Sequence, residues 1–268
     1  MAAALPAPSP STAALVTGAS SGIGVDLARE LAGRGHGVVL VARRGDRMEQ
    51  LATEVRAAHG IRAEVLTADL TDPAARDALP GRIAELGLTI EILINNAGYG
   101  SAGQFVDLDL ASETDMVRLN CEAVVALSGA YAPAMVERGR GAILVVASSA
   151  AMQPIPGQAV YAATKAFALS FAEGLHEEVG HRGVAVTALC PGPVATEFAG
   201  RAGMEEAFAT VPSFARVSPA DCARAAIDGL ARNRRVVVPG LPIRATAVAG
   251  RYTPRSVLLP LMRRFYPV

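Results

Sequence analysis

Tyr161 and Lys165 lie four residues apart in a stretch from Gln158 to Glu178 whose Ala, Leu and Glu content predicts a helix, with only Gly174 against it. Residues four apart share a helix face, so the phenol and the ammonium would open into one cleft. A phenol titrates near pH 10 and serves as acid and base near neutrality only where positive charge favours its anion. Each unit of depression corresponds to about 1.4 kcal/mol, so about two or three units would suffice. The same spacing also arises from a buried ring beside a surface cation, and the rest of the chain has to separate the two.

A glycine-rich turn comes first in the chain. Ala13 to Val16 reads as a strand and Gly22 to Leu31 as a helix, so Thr17, Gly18, Ala19, Ser20, Ser21, Gly22, Ile23 and Gly24 sit at a strand-to-helix junction. A helix start there offers free N–H groups and the positive end of a dipole to a pyrophosphate. The spacing is Gly-x3-Gly-x-Gly, different from the Gly-x-Gly-x-x-Gly of two-domain dinucleotide enzymes. Where the second apolar run ends, the chain reads Val41-Ala42-Arg43-Arg44. An NAD site carries an acid there for the ribose 2′-hydroxyl, and a basic residue suits the 2′-phosphate. NADP(H) is therefore expected over NAD(H), with Arg43 the main phosphate contact and Arg44 supporting, although Asp46 lies near enough to blur the pattern.

The elements that must position these groups are legible as alternation. Continuous apolar runs at Ala13–Val16, Gly37–Ala42, Ala63–Leu66, Ile92–Asn95, Ala142–Val146, Val184–Leu189 and Val236–Val238 read as strands buried on both faces. Helices are predicted at about Ile23–Arg34, Arg47–His59, Ala74–Leu86, Glu113–Arg138, Gln158–Gly180 and Pro219–Arg232. This order implies a single α/β domain over 13–268, a Rossmann-like, doubly wound and mostly parallel seven-stranded sheet with helices on both faces. Ligands in such sheets gather at the carboxyl ends of the strands, where Gly18, Arg43, Asp69, Asn96, Ser148 and Pro191 fall.

With both elements in view, roughly Ala13 to Val238 resembles the short-chain dehydrogenase/reductase family of the compact single-domain kind. Further matches follow in order: Asp69-Leu70, Asn95-Asn96-Ala97-Gly98, Asn120, Ser148, and Pro191-Gly192-Pro193-Val194-Ala195-Thr196. The resemblance implies that Ser148 hydrogen-bonds the substrate oxygen and Tyr161 donates the proton. It implies that Lys165 and an oxidised nicotinamide lower the tyrosine pKa, that Lys165 holds the nicotinamide ribose, and that Asn120 anchors a water leading to solvent. Asp69 and Leu70 would border the adenine, and Asn96, Ala97 and Gly98 would pass behind the cofactor. Ser148 is preferred to Ser149 because it stands at the family's interval before Tyr161. An asparagine on a helix can also simply bond a nearby carbonyl, and Asn120 could do both.

The chain has 268 residues, 51% hydrophobic and 19% charged, enough for a sizeable core. With 25 basic and 25 acidic side chains it has no net charge and no basic tract for nucleic acid. Cys121, Cys190 and Cys222 are odd in number and widely spaced, as for reduced thiols in a cytoplasmic protein. His36, His59, His176 and His181 form no metal pattern, so no metal is expected. Residues 1–12 read as a disordered extension without the basic start of a signal peptide, and no apolar run reaches the roughly 18 residues of a membrane span.

Beyond Thr196, residues about 197–217 match the family's substrate lid. Phe198, Met204, Phe208 and Phe214, with Tyr99, Phe105 and Met152, would make a largely apolar pocket, or half of them would be ordinary core. A carbonyl or alcohol substrate with a substantial apolar body follows. The tail, about 240–268, mixes arginines with Val, Leu, Phe and Tyr; it could dock on a partner subunit, close the pocket or lie on a membrane, the last disfavoured by Pro254 and Pro260. Family members of this size pair through the two long helices, here as a homodimer or homotetramer. The competing readings are a nucleotide-binding redox sensor without catalysis, which would usually lack the tyrosine or lysine, and an epimerase or dehydratase of the extended branch, which would show different glycine spacing.

Overall fold

The computed structural model describes residues 5–203, 212 and 216–265. Seven parallel strands form one sheet: β1 Thr12–Thr17, β2 Gly37–Ala42, β3 Ala63–Thr67, β4 Thr89–Asn95, β5 Gly141–Val146, β6 Val184–Leu189 and β7 Val236–Val237. Their order is β3-β2-β1-β4-β5-β6-β7. The chain runs outward from β1 in one direction, then returns to β4 and runs outward in the other. That reversal opens a crevice between the carboxyl ends of β1 and β4.

Both sheet faces are covered, which is why the strands are apolar throughout. On one face α1 (Ile23–Gly33), α2 (Gly45–His59) and, from later in the chain, Pro219–Ala231 bury Leu27, Leu31, Met48, Leu51, Ile227 and Leu230 against Val16, Leu40 and Ile94. On the other, α3 (Pro73–Asp77), α4 (Leu79–Glu85), α5 (Leu110–Val117), α6 (Ala123–Glu137) and α7 (Ala159–Val179) cover the sheet, with Leu79, Leu127, Met135 and Leu169 packed on Leu15, Leu93 and Ile143. After the short α8 (Glu197–Arg201), Pro219–Ala231 is α9, followed by α10 (Leu241–Tyr252) and α11 (Arg255–Phe265).

Four features differ from the sequence expectation. The helix expected over 74–86 is two short helices, because Pro80 enters in the first turn of α4 and cannot continue α3. The helix expected over 113–138 starts at Leu110, where Asp109 caps it by accepting from the Ser112 N–H at 2.8 Å, and Arg118–Glu122 is a π turn between α5 and α6. Together Leu110–Glu137 makes a 28-residue helix long and apolar enough by composition to cross a membrane, with 39% of its apolar window buried; Leu127, Tyr131 and Met135 on it pack into the core. Residues 5–11, expected to be disordered, pack on the domain: Pro6 is buried, Leu5 rests on the α1 core layer, and the Ser9 carbonyl accepts from Thr12 N at 3.2 Å. The tail after β7 forms two helices, with Pro260 accommodated inside α11.

Candidate active site

Tyr161 emerges in the first turn of α7, and Ser148 where β5 ends, so the sheet and the long helix fix one against the other. The Ser148 hydroxyl hydrogen-bonds the Tyr161 phenol and also accepts from Ala150 N at 3.1 Å, capping a 3-10 turn at Ser149–Met152. Ser149, by contrast, offers its backbone N–H to the Pro191 carbonyl at 2.8 Å. Lys165 donates to the Val146 carbonyl at 2.9 Å, and its Nζ lies 5.9 Å from the centre of the Tyr161 ring. Asn120 is held in the π turn, which widens the helix by one residue and turns the amide inward. Its Nδ2 donates to Tyr99 O and to Thr164 Oγ1, each at 3.0 Å, while its Oδ1 accepts from Tyr99 N at 3.3 Å. The carbonyl bond considered for Asn120 is therefore present. Gly98 permits the meeting: a Cβ there would sit 2.8 Å from Asn120 Oδ1 and 3.3 Å from Lys165 Nζ.

The electrostatics of the site without cofactor are set by burial. Burial pushes the Tyr161 phenol up to about 12, with the Ser148 hydrogen bond working in the other direction. Burial likewise pulls Lys165 down to about 8. The ammonium is bonded to the Val146 carbonyl, and the low dielectric around the pair disfavours both charges.

The glycine turn has the shape of a cradle. Gly18 has φ +68, and a Cβ on it would meet Asn96 Nδ2 at 2.8 Å and Ala97 Cα at 2.9 Å. A Cβ on Gly24 would lie 2.4 Å from the Gly18 carbonyl oxygen. Gly22 starts α1 without any side-chain cap, which leaves the first N–H groups of the helix for a ligand. One pin was missed in the sequence. Thr17 Oγ1 donates to Ile94 O at 3.0 Å and accepts from Asn96 N at 2.9 Å and Ala97 N at 3.0 Å, tying the turn to the β4 loop. Asn96 Nδ2 returns a bond to Thr17 O at 2.8 Å. These features fit a dinucleotide's pyrophosphate.

Around the cradle the other expected residues converge. Arg43 is largely exposed and pairs with Asp69 at 3.7 Å. Burial raises the Asp69 carboxyl, but hydrogen bonds from Thr71 N at 3.0 Å and Thr71 Oγ1 at 2.7 Å, with Arg43, bring it below its usual value. Leu70 is buried in the core beneath. Arg44 reaches Ser20, its Nε 3.3 Å from the hydroxyl and its Nη2 3.3 Å from the carbonyl, and pairs with Glu197 at 3.1 Å. Arg47, which sequence reasoning did not select, pairs with the same Glu197 carboxylate. Thr196 caps α8 by accepting from Phe198 N at 3.2 Å and packs against Gly22, and Val194 bridges to Val217. Gly192 is backed by Ile243, whose side-chain atoms would lie 2.7–2.9 Å from a Cβ there. Ser21, Ile23, Ala97 and Pro191 complete the rim at the turn, the β4 loop and the end of β6.

The apolar side of the site is partly as expected. Phe198 stands 5.5 Å from Tyr161, ring centre to ring centre. Gly100 makes room for both, since a Cβ there would be 2.9 Å from each ring. Tyr99 is tied by its hydroxyl to Ser112 O at 2.5 Å. Met152 belongs to the main core and Phe105 is exposed; Met204, Phe208 and Phe214 lie outside the described residues. The tail supplies what the sequence did not assign: Leu258 and Met262 of α11 share a cluster with Tyr161, Met116 and Ile155. No group of His, Cys, Asp and Glu among the described residues could hold a metal ion.

The family profile described as short chain dehydrogenase matches residues 12–207. The chain belongs to that family. This short-chain dehydrogenase is 36% identical over 190 residues to the very-long-chain 3-oxoacyl-CoA reductase of Bos taurus, a match covering 69% of this chain and 60% of that enzyme. The chain therefore spans less than two thirds of that relative's length. It is 36% identical over 186 residues to sulfoacetaldehyde reductase 2 of Chromohalobacter salexigens, covering 69% of this chain and 73% of that one. Among solved structures, a short-chain dehydrogenase from Sphingobium yanoikuyae in complex with NADPH is 38% identical, with TM-score 0.79 over 93% of this chain and 95% of the other. The bulky-bulky ketone specific alcohol dehydrogenase from Comamonas testosteroni is 32% identical, with TM-score 0.76 over 96% and 98%.

Proposed function

We propose that this chain is an NADPH-dependent reductase of ketones or aldehydes that carry a bulky apolar body. The observation that carries the reading is the hydrogen-bonded Ser148–Tyr161 pair with Lys165 behind it, on the same sheet edge as a glycine turn whose close packing leaves no room for a Cβ at Gly18 or Gly24. Ser148 and Tyr161 would both bond the substrate oxygen, donating where negative charge develops, and Tyr161 would hand over its proton. The nicotinamide, when bound, supplies the hydride. Lys165 lies within reach of the ring and, once its bond to Val146 is exchanged, would favour the phenolate left behind. Phe198, Leu258 and Met262 supply an apolar side to the site, and relatives that act on bulky ketones and 3-oxoacyl chains support the same substrate class. Turnover of NADPH against a panel of bulky ketones tests the reading, and no oxidation with any of them would remove it.

The cofactor preference rests on Arg44, with Arg43 and Arg47 beside it. Arg44 is the guanidinium already anchored on the cradle through Ser20, whereas Arg43 points to Asp69. A charge-assisted hydrogen bond is worth about 1.5–3 kcal/mol, so Arg44→Ala is expected to raise KM for NADPH by roughly 10- to 100-fold and leave KM for NADH within about twofold. Steady-state kinetics with both cofactors checks this; equal losses would place the 2′-phosphate elsewhere.

The direction of pH dependence follows from the tyrosine. With the phenol held up at about 12 in the free protein, the proton donor is in place across the neutral range. Ketone reduction is expected to show kcat/KM nearly flat between about pH 6 and 8, since that parameter reports the free enzyme. Alcohol oxidation requires the phenolate, so its kcat/KM rises with pH, by up to about tenfold per unit. The rise flattens above about 8, where Lys165 loses its charge. A falling oxidation profile over that range would contradict the assignment.

We further propose self-association through the α5–α6 and α7 faces, where Val117, Val125 and Phe167 are exposed and the Phe167 and Phe171 rings lie parallel at 6.2 Å. A reducing cytoplasm suits the unpaired Cys190 and Cys222.

A further inference from the structure

The hairpin made by α10 and α11 has two apolar faces where one would attach it to the domain. Ile243, Ala247 and Gly250 of α10, and Leu258 and Met262 of α11, are buried inward at helical spacing. Arg255 braces the turn by donating to Gly250 O at 3.3 Å, and Gln153 meets Met262 Sδ at 3.7 Å. On α10, Leu241, Val248 and Tyr252 are exposed at 80%, 51% and 76%; their seven- and four-residue spacing puts them on a single stripe turned away from the buried one. On α11, Val257 and Leu261, four apart, are likewise exposed.

Charge decides what such a surface fits. From residue 240 to the last residue of the chain there are five arginines, Arg244, Arg251, Arg255, Arg263 and Arg264, and no acid, in a chain whose overall net charge is zero. Arg251 is used internally, paired with Glu173 at 3.4 Å, and Arg255 braces the turn. Arg244, Arg263 and Arg264 are exposed beside the apolar stripes. Two copies meeting symmetrically through this face would set arginine against arginine. An anionic lipid surface satisfies both features: the apolar stripe enters the headgroup boundary and the guanidiniums meet phosphates.

We propose that α10 and α11 form a peripheral docking surface for an anionic lipid bilayer. The inner face of the same hairpin carries Leu258 and Met262 against Tyr161, so docking would hold the apolar side of the active site close to the lipid. Pro254 separates α10 from α11, as the sequence suggested, and Pro260 lies inside α11 without ending it, so each helix keeps its own amphipathic face.

Co-flotation with vesicles tests it independently of catalysis. The full chain is expected to float with vesicles of phosphatidylcholine rich in phosphatidylglycerol, to remain below with phosphatidylcholine alone, and to be released by salt. Arg263→Glu with Arg264→Glu is expected to lower partitioning by roughly tenfold or more, and Val257→Ser with Leu261→Ser to lower it too, each keeping the parent's thermal midpoint. Should either pair unfold the hairpin, Arg244→Glu serves alone, with a smaller loss. Failure to float with the anionic vesicles, equal flotation with both lipids, or partitioning unchanged by the charge reversals would overturn the proposal. So would sedimentation showing that Val257→Ser with Leu261→Ser splits an oligomer, which would assign the face to a second copy.

Discussion

Tyr161→Phe is expected to reduce kcat for ketone reduction by roughly 10²- to 10⁴-fold, the span typical of a lost general acid. The substitution removes one oxygen and keeps the ring, so the packing of Phe198 and the close approach of Gly100 to that ring are preserved. Ser148 keeps its bond from Ala150 N, so the 3-10 turn stays capped. NADPH titration should therefore give an affinity within a few-fold of the parent, with the loss confined to turnover. Activity near the parent level would show that another group supplies the proton. In that case the depressed Lys165, buried in the same cleft, would be the first to examine.

Gly24→Ala is expected to abolish measurable NADPH binding and to destabilise the fold by about 1–3 kcal/mol, as overpacking does. The added carbon would overlap a main-chain oxygen, Gly18 O at 2.4 Å, and the Asn96 amide at 2.5 Å. Neither can yield cheaply. Gly18 is already in a left-handed turn, and Asn96 is bonded back to Thr17 O at 2.8 Å. Relief would require moving the turn that must receive the pyrophosphate. Gly174→Ala is the matching control, since a Cβ there meets nothing within 4 Å and the site lies inside α7. That change is expected to raise stability by about 0.5–1 kcal/mol from helix propensity alone. Chemical denaturation and fluorescence titration of the two variants together check both. If Gly24→Ala bound NADPH like the parent, the close packing of the turn would not be what seats the cofactor.

What the amino-acid sequence determined by itself is whatever follows a local period or a short fixed spacing. Continuous apolar runs between helical stretches placed six of the seven strands to within one residue at each end, because strands buried on both faces need unbroken apolar chain; β4 begins three residues earlier than its run, at Thr89, where Thr89 and Glu91 break the apolar pattern. The glycine turn and the Tyr161–Lys165 pair were legible because each lies within one or two turns of backbone. Helix ends were less so. The break at Pro80 and the π turn around Asn120 depend on what the helix packs against as much as on its own residues.

Only the tertiary structure decided which distant groups meet. Arg47 and Glu197 pair from positions 150 residues apart, and Thr17 Oγ1 gathers Ile94, Asn96 and Ala97 across two strand ends. Neither pairing has a sequence signal, because each follows from strand order and from where loops turn at the sheet edge. The state of the catalytic pair belongs to the same class. Spacing put Lys165 near Tyr161, but burial is what shifts both groups away from their charged forms, since dielectric is a property of the assembled interior. The tail makes the point most plainly. Its composition was ambiguous until folding showed which residues α10 and α11 turn inward, leaving arginines and a second apolar stripe on the outside.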